Sequence, residues 1–88
     1  MTTTYRRSPA AIWRSSGSWF VAAVAPNAPT RMVGSAGLVW HQLAAPASLD
    51  DIVEGLAAVT GGEATVIRAD VQALLAELVP LGLVEVLK

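Results

Sequence analysis

The sequence predicts an α+β domain in which a three-stranded antiparallel sheet is followed by three helices. Two observations predict it. Short runs of β-branched and aromatic residues, separated by turn residues, fill positions 11–33. Apolar residues then recur at helical spacing, between helix start and stop residues, over positions 34–82. An 88-residue chain has room for one such domain, which we expect to span 11–88.

Three short strands are expected in the first part of the chain. The first covers 11–14, and the serine- and glycine-rich turn 15–18 leads to a second at 19–24. A second turn, with two prolines and an asparagine, precedes the third strand at Thr30–Val33. The threonine- and arginine-rich segment 1–10 shows no such pattern, and we expect it to be flexible.

The first two predicted helices are marked by their ends. Ser35 is a suitable N-cap for the first helix, which Pro46 must interrupt. Ser48 is a suitable N-cap for the second, whose first turns carry carboxylates that favour the positive end of the helix dipole. The glycine pair 61–62 ends this second helix.

The third predicted helix spans 64–79 and has a broad apolar surface. Leu75 and Val79 widen it beyond the arc that a core-facing helix needs, which indicates deep burial or a groove. The core-facing apolar stripe of this helix consists of Ile67, Val71, Leu74 and Leu78.

A short apolar tail at 83–87, after the third helix, has the character of a strand.

Charge is divided unequally along the chain. Residues 1–31 contain four arginines and no acid, whereas residues 32–88 contain two basic residues and all seven acids. Such a division indicates either an interaction surface or pairing of the two halves within the fold. Because 53% of residues are apolar and only 15% are charged, some apolar surface is expected to serve a partner.

Catalytic chemistry has few candidates in this sequence. The chain has no cysteine, and its one histidine, His41, has no acidic residue within about eight positions to form a proton relay. Asp50, Asp51 and Glu54 are explained by their place in the first turns of a helix. The sequence therefore predicts that the protein is not an enzyme and holds no cofactor or metal.

Membrane insertion is not expected from the hydropathy pattern. The longest uninterrupted apolar run is residues 19–25, whereas a transmembrane helix needs about 18 or more. The arginines at 6 and 7 are followed by too short an apolar stretch for a signal peptide. We expect a cytoplasmic domain.

DNA binding is the main alternative, because three helices and a small sheet form a winged helix-turn-helix arrangement. Such a reader places lysine and arginine on its recognition helix. Residues 48–82 instead hold six acids and one arginine, which would repel a phosphate backbone. We therefore expect no nucleic-acid partner.

The three tryptophans are candidate anchors. Trp40 lies in a helical apolar pattern and is expected in the core. Trp13 and Trp19 lie in short strands, and one of them is expected at an interface, where tryptophan is enriched.

An ordered set of motifs resembles a known family. The stretch 33–40 reads VGSAGLVW, Leu43 follows, and 46–52 reads PASLDDI. Later come IRADV at 67–71, LL at 74–75, EL at 77–78 and GLV at 82–84. Over residues 13–86 this order and spacing are similar to those of PqqD-like proteins, the RiPP recognition elements of pyrroloquinoline quinone and lasso-peptide biosynthesis.

The resemblance implies a peptide-binding adaptor. A precursor's leader segment would add as a strand beside Thr30–Val33, in a cleft next to the third helix, and a radical SAM enzyme, cyclase or leader protease would receive it. A subunit that only stabilises a larger enzyme is a further alternative. The expected peptide-binding residues are Thr30, Arg31, Met32, Val33, Arg68, Val71, Gln72 and Leu75.

Overall fold

The structure, a computed structural model, describes residues 3–16 and 19–87, without the side chains of Ser16, Trp19 and Val33. This part of the chain forms three helices and two three-stranded antiparallel sheets. In chain order the elements are β1 (Thr4–Arg7), β2 (Ile12–Ser16), β3 (Trp19–Ala23), β4 (Thr30–Val33), α1 (Ser35–Gln42), β5 (Ala47–Ser48), α2 (Leu49–Thr60), α3 (Ala64–Leu78) and β6 (Val84–Leu87).

The predicted meander is confirmed as the sheet β2–β3–β4. Arg14 faces Val21 across β2 and β3, and Val21 faces Arg31 across β3 and β4. Since side chains alternate between the two faces of a sheet, Phe20, Ala22 and Met32 lie on the opposite, inner face and are buried. Two residues of the predicted turn at 15–18, Gly17 and Ser18, lie outside the described residues.

The N-terminal segment differs from the flexible chain that the sequence predicts. Thr4–Arg7 is the central strand of a second sheet, paired with both Val84–Leu87 and Ala47–Ser48. Arg6 forms an ion pair with Glu85, with 2.9 Å between Nε and Oε1. This strand has no alternating apolar pattern, so only its distant partners reveal it. Residues 1 and 2 lie outside the described residues. At the other end of the chain, the strand that the sequence predicts in the apolar tail is confirmed as Val84–Leu87.

The helix caps agree with the sequence for α2 and differ for α1. Ser48 forms a capping box with Asp51, and Gly61 ends α2 in the left-handed conformation with φ 70°. For α1 the N-cap is Gly34 rather than Ser35, and no side chain caps the helix. Gly34 has φ 61°, which glycine adopts without steric cost.

One apolar core joins the first sheet to the three helices. Trp40 is fully buried at its centre, as the sequence predicts, and its ring centroid lies 5.5 Å from that of Phe20 on β3. The helices contribute Val39 and Trp40 from α1, Ile52, Val53 and Leu56 from α2, and Val71, Leu75 and Leu78 from α3.

Within residues 3–16 and 19–87, no helix combines the length and apolar character needed to span a membrane.

Candidate functional site

A groove of about 180 Å³ opens between the three helices, and we call it the helical groove. Apolar side chains form most of it, and two of the more accessible are Leu38 on α1 and Leu74 on α3. Its lining residues are Ser35, Leu38, Val39, Leu56, Thr60, Ile67, Asp70, Val71 and Leu74.

The polar groups of the helical groove are few. Among the described residues that line it, the hydrogen-bonding or charged side chains are those of Ser35, Thr60 and Asp70, and all three residues are exposed. An apolar recess with so few polar groups suits an apolar side chain of a ligand better than a charged one.

The helical groove adjoins an open strand edge. Within the described part of the chain, β4 pairs with β3 on one side and with no strand on the other. Gly34 alone separates the end of β4 from Ser35, which lines the groove. The end of the open β4 edge at Val33 therefore lies close to an apolar recess.

The predicted site residues on β4 divide between surface and core. Arg31 is exposed and Thr30 is half-buried. Met32 is only 3% exposed and belongs to the core, so its side chain is not available to a ligand that leaves the fold intact. The backbone of Val33 lies in β4, and its side chain lies outside the described residues.

The predicted site residues on α3 lie on two different flanks. Val71 lines the helical groove. Gln72 and Leu75 line a separate groove beside the second sheet, next to Tyr5 and Val86. The structure therefore does not bring Val71 into one site with Gln72 and Leu75.

Arg68 belongs to the flank of α3 that faces away from the helical groove. Its guanidinium forms an ion pair with the Asp50 carboxylate in the first turn of α2. Arg68, Gln72 and Leu75 follow the i, i+4, i+7 spacing of one helix stripe, which explains why they share a flank. The structure therefore places Arg68 outside the helical groove, and its role in peptide binding stays a prediction.

Residues that sequence reasoning missed supply much of the helical groove. Ile67 and Leu74 are visible in the sequence as members of the apolar stripe of the third helix, but such a stripe predicts a core-facing surface and not a groove. They are only half-buried, and Leu38 on α1 is 37% exposed. The sequence does not show that the three helices leave this end of the stripe open.

An aromatic and cationic cluster holds α1, one wall of the helical groove, against both sheets. The guanidinium carbon of Arg7 lies 5.0 Å from the ring centroids of both Trp13 and Trp40. Arg7 also donates from Nε and Nη2 to the carbonyl oxygen of Trp40, at 2.9 Å and 2.6 Å. This carbonyl is in the last turn of α1, where a cation is favourable. Burial lowers the pKa of Arg7 below its ordinary value.

Comparison with known proteins bears on the function of this site. A family model described as coenzyme PQQ synthesis protein D (PqqD) matches residues 26–84, more than half of the chain. The fold is similar to that of TbiB1 in complex with the TbiA(beta) leader peptide, with a TM-score of 0.78 and 16% sequence identity. That alignment covers 91% of this chain and 94% of the other. A search of curated proteins finds no match.

Proposed function

The chain belongs to the PqqD family, and on that premise we propose that it is a non-catalytic adaptor which binds the leader segment of a ribosomally made precursor peptide by strand addition. The observation that carries the proposal is the open edge of β4 beside the apolar helical groove. The structurally similar TbiB1 is in complex with a leader peptide, which supports the same class of ligand here. The adaptor would present the leader to a radical SAM enzyme, a cyclase or a leader protease.

Backbone pairing alone is too weak for this function. An added strand satisfies the unpaired backbone groups of an edge, and about four new hydrogen bonds contribute roughly 2–6 kcal/mol. Ordering about five leader residues costs roughly 5–10 kcal/mol. Micromolar affinity requires about 8 kcal/mol of net binding free energy, so apolar contacts must supply the difference.

The helical groove is the source of that apolar contact. Burying about 400 Å² of apolar surface contributes roughly 10 kcal/mol, which brings the balance close to micromolar affinity. Leu38, Ile67 and Leu74 are accessible enough to take part. We therefore assign recognition to the edge of β4 together with this flank of α3, in place of the flank with Gln72 and Leu75.

DNA binding is not favoured by the surface of the helices. Among the described residues, α3 carries one cation, Arg68, which already forms an ion pair, and two exposed carboxylates at Asp70 and Glu77. A recognition helix of this charge would repel the phosphate backbone.

Substitution of a groove wall tests the proposed function. Leu38→Asp is expected to weaken leader binding by more than about tenfold, because a carboxylate replaces an apolar contact in the recess. Binding is measured by titration of fluorescent peptides that carry the leader segments of candidate precursors, and the one that the unsubstituted protein binds is used for the variants.

Val66→Asp is the matched control for this experiment. Val66 lies on α3, is 57% exposed and does not line the helical groove. We expect its leader affinity to stay within about twofold of the unsubstituted protein. Equal affinities of the Leu38 and Val66 variants would show that the helical groove is not the binding site.

Charge is expected to adjust affinity without creating it. Arg31→Ala should weaken the binding of a leader with acidic residues by up to about fivefold, mostly through a slower association rate. The effect is small because an exposed ion pair between Arg31 and a leader carboxylate contributes only about 0–1 kcal/mol. The loss should shrink as salt is raised. Association rates at low and high salt check this, and a larger loss than that of Leu38→Asp at both salt concentrations would indicate mainly electrostatic recognition.

A further inference from the structure

The side of the β2–β3–β4 sheet that faces away from the helices has an unusual composition. Alternation along the strands places Phe20, Ala22 and Met32 in the core and directs the intervening residues outward. We call this surface the outer face. It consists of Ile12, Arg14, Val21, Ala23 and Arg31, with Pro29 at its margin.

Apolar exposure on the outer face is large for so small a sheet. Ile12 is 75% exposed, the highest value among the large exposed apolar side chains of the described residues. Trp13 belongs to the inner face, because its register partner is the buried Ala22, but at the edge of the sheet it is still 37% exposed and borders the same surface. Val21, Ala23 and Pro29 join them in lining a shallow depression. An apolar patch bordered by polar side chains is typical of a protein interface.

Charge defines what can cover this patch. Arg14 and Arg31 lie on either side of Val21 in the strand register, which places two cations on the outer face. The partner that complements such a surface presents carboxylates around an apolar side chain. A second copy is less suitable on this face, because two outer faces in contact would bring arginines together.

The position of the outer face allows two partners at once. The helices that form the helical groove lie on the inner side of the sheet, where Phe20 contacts Trp40. A protein on the outer face therefore leaves the groove open, while the edge of β4 lies at the border between the two surfaces.

We propose that the outer face is the docking surface for the processing enzyme that receives the leader, and that this enzyme meets it with carboxylates around an apolar contact. The inference rests on the proposed function, which supplies the need for such an enzyme. Three strands of four or five residues span roughly 15 by 17 Å, much less than the about 800 Å² that a stable partner covers. The outer face is therefore the centre of the interface, and the enzyme also covers surface around it.

Two substitutions test this surface against a purified enzyme that processes the leader peptide bound by this chain. Ile12→Ser and Arg14→Glu are each expected to weaken enzyme binding by about tenfold or more, because one removes the apolar anchor and the other reverses the charge. Neither residue belongs to the proposed leader site, so leader affinity should remain within about twofold. Enzyme affinity is measured by interferometry and leader affinity by peptide titration.

Matched controls separate docking from folding. Val59→Ser removes an apolar side chain that is 66% exposed on α2, and it should leave enzyme binding unchanged. Arg14→Lys keeps the charge and should retain most of the affinity, with a dependence on salt. Circular dichroism confirms that each variant keeps its helices.

The possible outcomes are distinct. Unchanged enzyme affinity in both variants, with leader binding intact, would overturn the docking surface and leave the proposed function standing. A wild-type chain that binds no leader would overturn the proposed function itself. A wild-type dimer in sedimentation that Ile12→Ser dissociates would show that the outer face joins two copies, which would also overturn this proposal.

Discussion

Trp40→Ala is expected to lower the free energy of unfolding by about 3–5 kcal/mol, a large part of the stability of a domain this small. Trp40 is fully buried, and its ring contacts those of Phe20 and Trp13. Removing the indole leaves a cavity at the centre of the core and takes away one of the two rings beside Arg7. The wall of the helical groove formed by α1 depends on these contacts.

Thermal and urea unfolding followed by circular dichroism measure this effect. A loss of 3 kcal/mol corresponds to a fall in Tm of more than about 12 °C for a domain of this size. Trp40→Phe is the matched control, because it keeps an aromatic ring in the core and should lose much less stability. A Tm within a few degrees of the unsubstituted protein for Trp40→Ala would contradict the central position of Trp40.

Loss of one backbone donor on the open edge of β4 is expected to abolish leader binding. In an antiparallel strand, neighbouring residues direct their backbone groups to opposite sides. Of Arg31 and Met32, one therefore bonds to β3 and the other faces the incoming leader. Proline at the edge-facing position removes that donor, and the helices should stay folded.

Alanine variants are the controls for these prolines, since alanine keeps the backbone donor. The alanine control matters most at position 32, because Met32→Pro removes a buried side chain as well as the backbone donor. Titration measures leader affinity, and circular dichroism measures folding. If both proline variants fold and bind the leader as their alanine controls do, strand addition at β4 is wrong.

The same pairing is testable from the peptide side without changing the protein. Leader peptides methylated at one backbone nitrogen at a time should lose binding at every second position, because alternate N–H groups face β4. Uniform effects along the peptide would indicate a bound conformation other than a strand.

Features with local causes were predictable from the sequence. Ser48 with Asp51 three positions later marks the start of α2, and Gly61 marks its end, because capping depends on residues within one turn. The three strands of the meander are neighbours in the chain, so short turns bring them together. The family motifs over 33–84 also depend only on order and spacing, and the family match over 26–84 confirms them.

Features that depend on residues far apart in the chain were not predictable from the sequence. Thr4–Arg7 lacks a strand pattern and becomes a strand because the C-terminal strand, about eighty positions away, pairs with it. Leu75 is predicted to bind the peptide, and the structure places it, 4% exposed, in the groove beside the second sheet, which no local pattern indicates.

The sequence by itself determined the order of the three helices and of the strands β2, β3, β4 and β6, the buried position of Trp40 and the family, since hydrophobic periodicity, caps and motif spacing are properties of neighbouring residues. Only the tertiary structure decided which flank of α3 lines the groove beside β4. A helix with an apolar surface this broad can be covered from either side, and the second sheet covers the flank of Leu75 while that of Ile67 and Leu74 stays accessible. The choice depends on contacts between residues far apart in the chain, which no local pattern records.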